Sequence, residues 1–278
     1  MLTIAQRSAV ADQLHRAERD RVPVDPVVAL FPEMDVVDAY EIQLLNIRRR
    51  LGSGAPGDGE PGEGEPGDVV VGHKVGLSSP VMQRMMGVDE PDYGHLLERM
   101  RLSEDVAAPL AGYCYPRIEV EVAYVLADDL PGEGCTEADV LAATESLAPA
   151  IELIDSRIRD WKISLPDTIA DNASSASFVL GSARVDPSRV DPTGIDAVLR
   201  RNGEHIADGR SDAVLGDPTT AVAWLARKVA DFGVRLRAGN VVLPGSCTRA
   251  VDVHAGDTFS AELTGLGSVS LSFDRGGF

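Results

Sequence analysis

The sequence predicts an α+β protein, with a small helical region at residues 1–51 and a β-rich region at residues 69–278. Three observations lead there. Residues 3–20 and 35–50 repeat apolar side chains at helical spacing. Residues 52–68, GSGAPGDGEPGEGEPGD, hold seven glycines, three prolines and five acids and offer nothing to bury. That stretch reads as a flexible linker loop rather than a structural element. Beyond it, short apolar and alternating runs dominate. A chain of 278 residues suits one large domain with a helical appendage.

The elements follow in order. Thr3 can cap the first helix, whose Val10, Leu14 and Ala17 fall on one face. Asp35 caps the second, with Val37, Tyr40, Leu44 and Ile47 as its stripe. Arg48, Arg49 and Arg50 suit the negative end of its dipole. VVVGHKVGLS (69–78) and RIEVEVAYVL (117–126) read as strands. Thr136 and Asp139 form a capping pair for a helix running to about Leu147. APAIELIDSRI (148–158) returns to strand, and ASFVLGSARV (176–185) and NVVLPGS (240–246) read as buried strands. Asp217-Pro218 opens a helix with Val222, Leu225, Val229 and Phe232 on its apolar face and Gly233 as its stop. Residues 255–273 alternate around a Gly turn, the mark of a terminal hairpin. No internal repeat is visible.

Composition excludes several function classes. A net charge of −18, from 44 acids and 26 bases, repels phosphate backbones and anionic membranes, so neither nucleic acid nor membrane is an expected partner. Cys114, Cys135 and Cys247 are scattered without CxxC spacing, which fits reduced thiols in a cytoplasm. No run approaches the roughly 18 apolar residues of a membrane span. The N-terminus lacks the apolar core of a signal peptide.

Chemistry concentrates in a few positions. Glu119 and Glu121 sit two apart in a strand and so share a face. Alone, they also fit an ordinary solvated acidic face. Glu152 lies in Ala-Ile-Glu-Leu-Ile, apolar on both sides. A carboxylate there is costly unless it is paired, for example with Arg157 or Arg159, or bound to a metal. Three carboxylates on two strands make an oxygen site of the kind Mg²⁺ or Mn²⁺ prefers, and no His/Cys cluster competes for zinc.

Lys74 stands between Gly72 and Gly76 at same-face spacing. Small neighbours give it room to enter a cavity, although a lysine on an exposed edge strand fits the same pattern. Asp92 in Glu-Pro-Asp-Tyr-Gly is either turn chemistry or a general base shown on a loop. Asp160-Trp161-Lys162 and residues 170–175 are polar stretches beside apolar strands, suited to pocket walls or to self-bonded loops. His95, His205 and His254 have no partner spacing and read as structural. The Gly-rich segments lack a strand-GxGxxG-helix setting, which removes a Rossmann reading.

Taken together, GHKVGLSS, GVDEPDYGHLL, PRIEVEVAYVL, APAIELIDSRIRDWKISLPDTIADNASSASFVLG and AVAWLARKVADFGVRLRAGNVVLPGS resemble the 2-oxo-4-pentenoate (2-hydroxypentadienoate) hydratases and 4-oxalocrotonate decarboxylases. These belong to the fumarylacetoacetate hydrolase superfamily, and the likeness runs from about residue 30 to residue 273. The resemblance implies a mixed β-sheet roll with flanking helices, making 69–278 the catalytic domain. It implies a divalent metal, Mg²⁺ or Mn²⁺, on Glu119, Glu121 and Glu152. It also implies acid–base work by Lys74 and Asp92. Leu77, Lys162 and Ser174 are the candidate substrate contacts.

Two departures stand out. The 52–68 stretch is longer than the usual connection, and His73 stands where relatives often carry an aromatic residue, which could alter the pocket wall.

The implied reaction is hydration of a 2-hydroxy-2,4-dienoate to a 4-hydroxy-2-oxo acid. In it the metal grips the C1 carboxylate and the C2 oxygen, and water adds at C4 after ketonisation. The alternatives are decarboxylation of a 2-oxo-3-enedioate, a metal-dependent tautomerase or C–C hydrolase, or a non-catalytic partner subunit. The Pro-Asp-Tyr-Gly-His and Arg-Asp-Trp-Lys segments look more hydratase-like. The resemblance further implies a homo-oligomer and a complex with an aldolase or decarboxylase of the same pathway.

Overall fold

The structure is a computed structural model that describes residues 1–52 and 67–276. The expectation for the 52–68 stretch therefore falls almost entirely outside the described residues.

Three helices lead the chain: α1 (Ile4–Asp20), α2 (Val27–Leu30) and α3 (Val36–Arg50). Thr3 and Asp35 cap α1 and α3 as expected, each within a reciprocal capping box. Val10, Leu14 and Ala17 are buried, as the helical spacing requires. Val37 departs from expectation: it is 50% exposed, and the buried face of α3 takes Asp38, Ala39 and Gln43 beside Tyr40, Leu44 and Ile47. The reason is polar. The Asp38 carboxylate accepts from Leu2 N (2.9 Å), Arg7 Nε (2.8 Å) and Asp35 N (3.3 Å). It thus fixes α1 against α3 from a fully buried position.

The chain then runs β1 (Val70–Gly76), α4 (Pro80–Met86), β2 (Asp92–Leu97), β3 (Arg117–Leu126), α5 (Glu137–Ala143), β4 (Thr144–Ile154), α6 (Leu165–Ala170) and β5 (Ser175–Leu180). A hairpin, β6 (Asp196–Arg201) and β7 (Glu204–Arg210), precedes α7 (Pro218–Ala230). The end is β8 (Val241–Leu243), β9 (Val251–Asp252), β10 (Thr258–Leu263) and β11 (Gly267–Ser272). A seven-stranded sheet has the order β2-β1-β8-β3-β4-β5, with β9 added on β3. Its β1–β8 pair is parallel and the others are antiparallel, so the sheet is mixed. A second sheet, β11-β10-β6-β7, packs on β4 and β5. The fold class is the α+β one predicted, a mixed sheet with flanking helices.

Several boundaries differ. The helix expected to reach about Leu147 stops at Ala143, because Thr144–Ile154 is claimed by a ten-pair ladder with β3. Cross-strand pairing over that length outweighs local helix preference. The strand read at 148–158 accordingly begins earlier, at Thr144, and ends at Ile154. The segment at Asp92, read as turn or loop, is strand β2, paired with β1 and buried along its whole length. The β6–β7 hairpin turns on Asn202 (φ 55°) and Gly203 (φ 83°), an Asn-Gly pair that is itself a hairpin signal. Among the described residues, no helix is long and apolar enough to cross a membrane.

Asp38 gives this architecture a simple test. Burial alone would raise its carboxyl pKa, but the bonds from Leu2, Arg7 and Asp35 outweigh that and hold it below the ordinary carboxylate range. A depressed folded pKa stabilises above the unfolded value and is lost as pH falls through the folded one. Asp38→Asn should cost about 2 kcal/mol at pH 7. The gap to wild type in denaturant melts should narrow as pH falls below about 4. A gap that stays constant down to pH 2 would contradict this.

Candidate metal centre

The site grows out of one register. Across the β3–β4 ladder Glu119 faces Glu152, and Glu121 faces Ala150. Glu119 and Glu121 alternate onto one face. Glu152 stands directly opposite Glu119 and therefore joins them. One carboxylate oxygen from each of the three lies within 4.8 Å of the others. Glu121 and Glu152 are fully buried and Glu119 is partly so, which excludes a solvated acidic face.

Two small contacts aim these groups. Gly245 N donates to Glu121 Oε2 at 2.7 Å, and the Ser175 hydroxyl donates to Glu152 Oε1 at 2.8 Å. Gly245 has φ 128°, and a Cβ there would lie 1.8 Å from Ser78 Oγ, so only glycine fits. The arginines considered for Glu152 pair elsewhere: Arg157 with Asp171 and Arg159 with Asp25. The cation that faces Glu152 is Lys74, whose Nζ lies 3.5 Å from Oε2.

Lys74 is 3% exposed on β1, an inner strand, so the exposed-edge alternative fails. Its two glycine neighbours have separate reasons. A Cβ on Gly72 would meet the Val241 carbonyl at 1.8 Å, so that glycine serves the close β1–β8 pairing. A Cβ on Gly76 would lie 2.1 Å from Asp92 Oδ1 and 3.4 Å from Lys74 Nζ. Lys74 and Asp92 thus share the space above Gly76, and Asp92 is buried in a strand rather than shown on a loop.

The electrostatics follow from burying four acids around one ammonium. Burial, opposed by Lys74 and aided by Glu152 and Asp92, pushes Glu119 up to about 7. Burial, Glu152 and Glu119 push Glu121 well above the ordinary carboxylate range. Burial, opposed by Lys74 and aided by Glu152, raises Asp92 to about 6. Burial would lower Lys74, but Glu152 and Asp92 outweigh it and hold the ammonium charged.

Glu121 Oε1, Glu152 Oε2 and Asp92 Oδ1 are buried without a hydrogen bond. Carboxylate oxygens without a hydrogen bond at this depth are costly, and Glu152 Oε2 has the Lys74 ammonium 3.5 Å away. An all-oxygen set of three carboxylates fits a hard divalent ion such as Mg²⁺, Mn²⁺ or Ca²⁺.

The other predicted residues fall at different distances from this centre. Leu77 directly follows β1 in a left-handed conformation, φ 51°, unusual for a bulky side chain. Ser174 is buried in a left-handed run with Asn172 and Ala173 (φ 56°, 50° and 56°). Its hydroxyl lies 3.3 Å from that of Thr168 rather than on Glu152. The serine on Glu152 is the next residue, Ser175, which lies in the polar 170–175 stretch but is not among the candidate contacts. Lys162 is not brought to the cluster: its ammonium is 69% exposed and pairs with Asp160. His73 alternates to the other face of β1 and packs on His95, ring centroids 4.7 Å apart, so it is no pocket wall beside Lys74.

The chain is similar to known proteins along nearly its whole length. Residues 100–273 match the family described as Fumarylacetoacetate (FAA) hydrolase C-terminal. The chain is 40% identical to 2-keto-4-pentenoate hydratase of Paraburkholderia xenovorans (strain LB400), covering 98% of this chain and 97% of that one. It is 40% identical to 2-hydroxyhexa-2,4-dienoate hydratase of Comamonas testosteroni, covering 94% and 95%. Among solved structures, 4-oxalocrotonate decarboxylase from Pseudomonas putida G7, complexed with magnesium and adipate, superposes with a TM-score of 0.90. The two are 35% identical over 98% of this chain and 99% of that one.

Protons and a cation must compete for these carboxylates. Acids with raised pKa values hold protons at mildly acid pH, so metal affinity should climb from pH 5 to pH 8. Calorimetry should show proton release on Mg²⁺ binding at pH 6 that fades by about pH 9. An affinity independent of pH, with no proton released at pH 6, would contradict the assignment. Glu121→Gln should weaken binding at pH 8 at least about 100-fold.

Proposed function

Because the chain belongs to the fumarylacetoacetate hydrolase family, we propose that it is a hydratase. It adds water to a 2-hydroxy-2,4-dienoate of the 2-oxo-4-pentenoate type and yields a 4-hydroxy-2-oxo acid. The observation that carries this reading is the buried trio Glu119, Glu121 and Glu152 beside an ammonium and a carboxyl that share the space above Gly76. Glu119, Glu121 and Glu152 would hold a Mg²⁺ or Mn²⁺, which would supply Lewis acidity toward the substrate's oxygens.

Lys74 stays protonated, and its positive charge stabilises negative charge as it builds on the C2 oxygen. Asp92, with its carboxyl raised to about 6, is present near neutrality as a base with a usable acid form. It takes the proton of the 2-hydroxyl, and a proton is delivered to C5, which gives the 2-oxo-3-enoate. Conjugation then leaves C4 electrophilic. Water adds there and a proton goes to C3. Burial of Lys74 and Asp92 excludes bulk water that would dilute these charges.

The same metal and oxygen chemistry would serve decarboxylation, and one observation favours a substrate with a single carboxylate. A 2-oxo-3-enedioate carries a second carboxylate. Among the described residues the buried cations are Lys74 and Arg157. Lys74 faces Glu152 and Arg157 is bound to Asp171. No buried cation is left to receive the second charge.

Mixing metal-loaded protein with 2-hydroxypenta-2,4-dienoate should bleach the dienoate absorbance and yield 4-hydroxy-2-oxopentanoate by NMR. Chelation should abolish this, and Asp92→Asn should lower kcat at least about 100-fold. Full activity after chelation, or carbon dioxide release from 4-oxalocrotonate outpacing hydration, would overturn the reading.

A further inference from the structure

The buried pair Arg157–Asp171 has no place in the chemistry above, yet it reaches the metal centre in two steps. Arg157 Nε donates to Asp171 Oδ1 at 2.5 Å and its backbone N to Oδ2 at 2.9 Å. Nη2 donates to the Asp171 carbonyl, and Nη1 to the carbonyls of Asp155 (2.8 Å) and Ser175 (3.4 Å). Both side chains are nearly sealed, 4% and 2% exposed. One guanidinium therefore grips Asp171 and Ser175, the residues at either end of the left-handed run Asn172–Ser174.

That run is unfavourable on its own. Three successive non-glycine residues at φ 50–56° each cost on the order of 1–3 kcal/mol and persist only where their surroundings impose them. The result of the imposed path is that Ser175 begins β5 with its hydroxyl on Glu152 Oε1 at 2.8 Å.

We propose that Arg157 is a positioning residue for the metal centre: by clamping both ends of the left-handed run, it places the Ser175 hydroxyl that orients Glu152. The inference rests on the metal reading of Glu119, Glu121 and Glu152. A structural ion pair would stabilise the protein without touching metal affinity. A positioning pair changes affinity, and does so through Ser175. Partners of this kind behind metal ligands commonly set affinity by 10–100-fold.

The test is Mn²⁺ binding by calorimetry to the full chain at pH 8, well below each variant's Tm, for Ser175→Ala, Arg157→Lys, their double variant and Ser175→Thr. Ser175→Ala and Arg157→Lys should each weaken Mn²⁺ about 10-fold, and the double variant about 10-fold rather than about 100-fold. Ser175→Thr, which keeps the hydroxyl, should bind near wild type. Asp171→Asn serves in place of Arg157→Lys if the latter does not fold. The proposal is overturned by a wild-type Kd in the folded clamp variant, by an unaffected Ser175→Ala, or by losses that multiply in the double variant. Failure of both clamp variants to fold also counts against it, because the clamp would then hold the fold and not the site. Glu152→Gln separates the two levels: if it binds Mn²⁺ as tightly as wild type, the metal reading itself is wrong.

Discussion

The pairing of Glu119 with Glu152 across β3 and β4 is the constraint from which the rest of the molecule follows. Charged groups taken out of water are expensive, by several kcal/mol each even after relaxation. Here three carboxylates share one face of a central ladder, and the charge on Asp92 helps to raise the Glu119 pKa. A single ammonium opposes them. Protonation, favoured by the raised pKa values of Glu119 and Glu121, and a bound divalent cation are the two ways to relieve that imbalance. A one-residue slip of β4 would turn Glu152 to the opposite face. The apolar residues on either side of it, Ile151 and Leu153, both fully buried, are what forbid that slip.

Around this ladder, backbone is brought unusually close. Gly72 lets β1 lie against β8, Gly76 leaves room for Lys74 and Asp92, and Gly245 brings an N–H onto Glu121. A Cβ would strike the Val241 backbone at Gly72, the Asp92 carboxyl at Gly76 and the Ser78 hydroxyl at Gly245. The left-handed Leu77 and the left-handed run at 172–174 lie at the ends of the strands that carry Lys74 and Ser175. Backbone strain therefore adjoins the strands that carry Lys74 and Ser175. The helical N-terminal part contributes to this frame as well: Gln43 on α3 donates to the carbonyls of Tyr93 and Ile169, tying β2 to α6.

Much of this was legible in the amino-acid order. Alternation put Glu119 and Glu121 on one face, and the apolar setting of Glu152 marked a carboxylate with a special partner. Capping signals at Thr3, Asp35, Thr136 and Asp217 located four helix starts. What escaped depended on distant residues. Asp92 looked like turn chemistry because its strand exists only through pairing with β1. The α5 helix ended early because β3 claimed the residues after it. Ser174 and Ser175 are equivalent in local sequence, and only the left-handed run decides which hydroxyl meets Glu152. Lys162 has the composition of a pocket cation, but its ammonium lies at the surface and pairs with Asp160.

The central claim is that Glu119, Glu121 and Glu152 together hold one divalent cation. Anomalous diffraction from crystals grown with Mn²⁺ tests it most directly. A single strong anomalous peak should lie within coordinating distance, about 2.0–2.3 Å, of an oxygen from each of the three glutamates. A peak bounded by other residues, or none at that position with Mn²⁺ in excess, would contradict it.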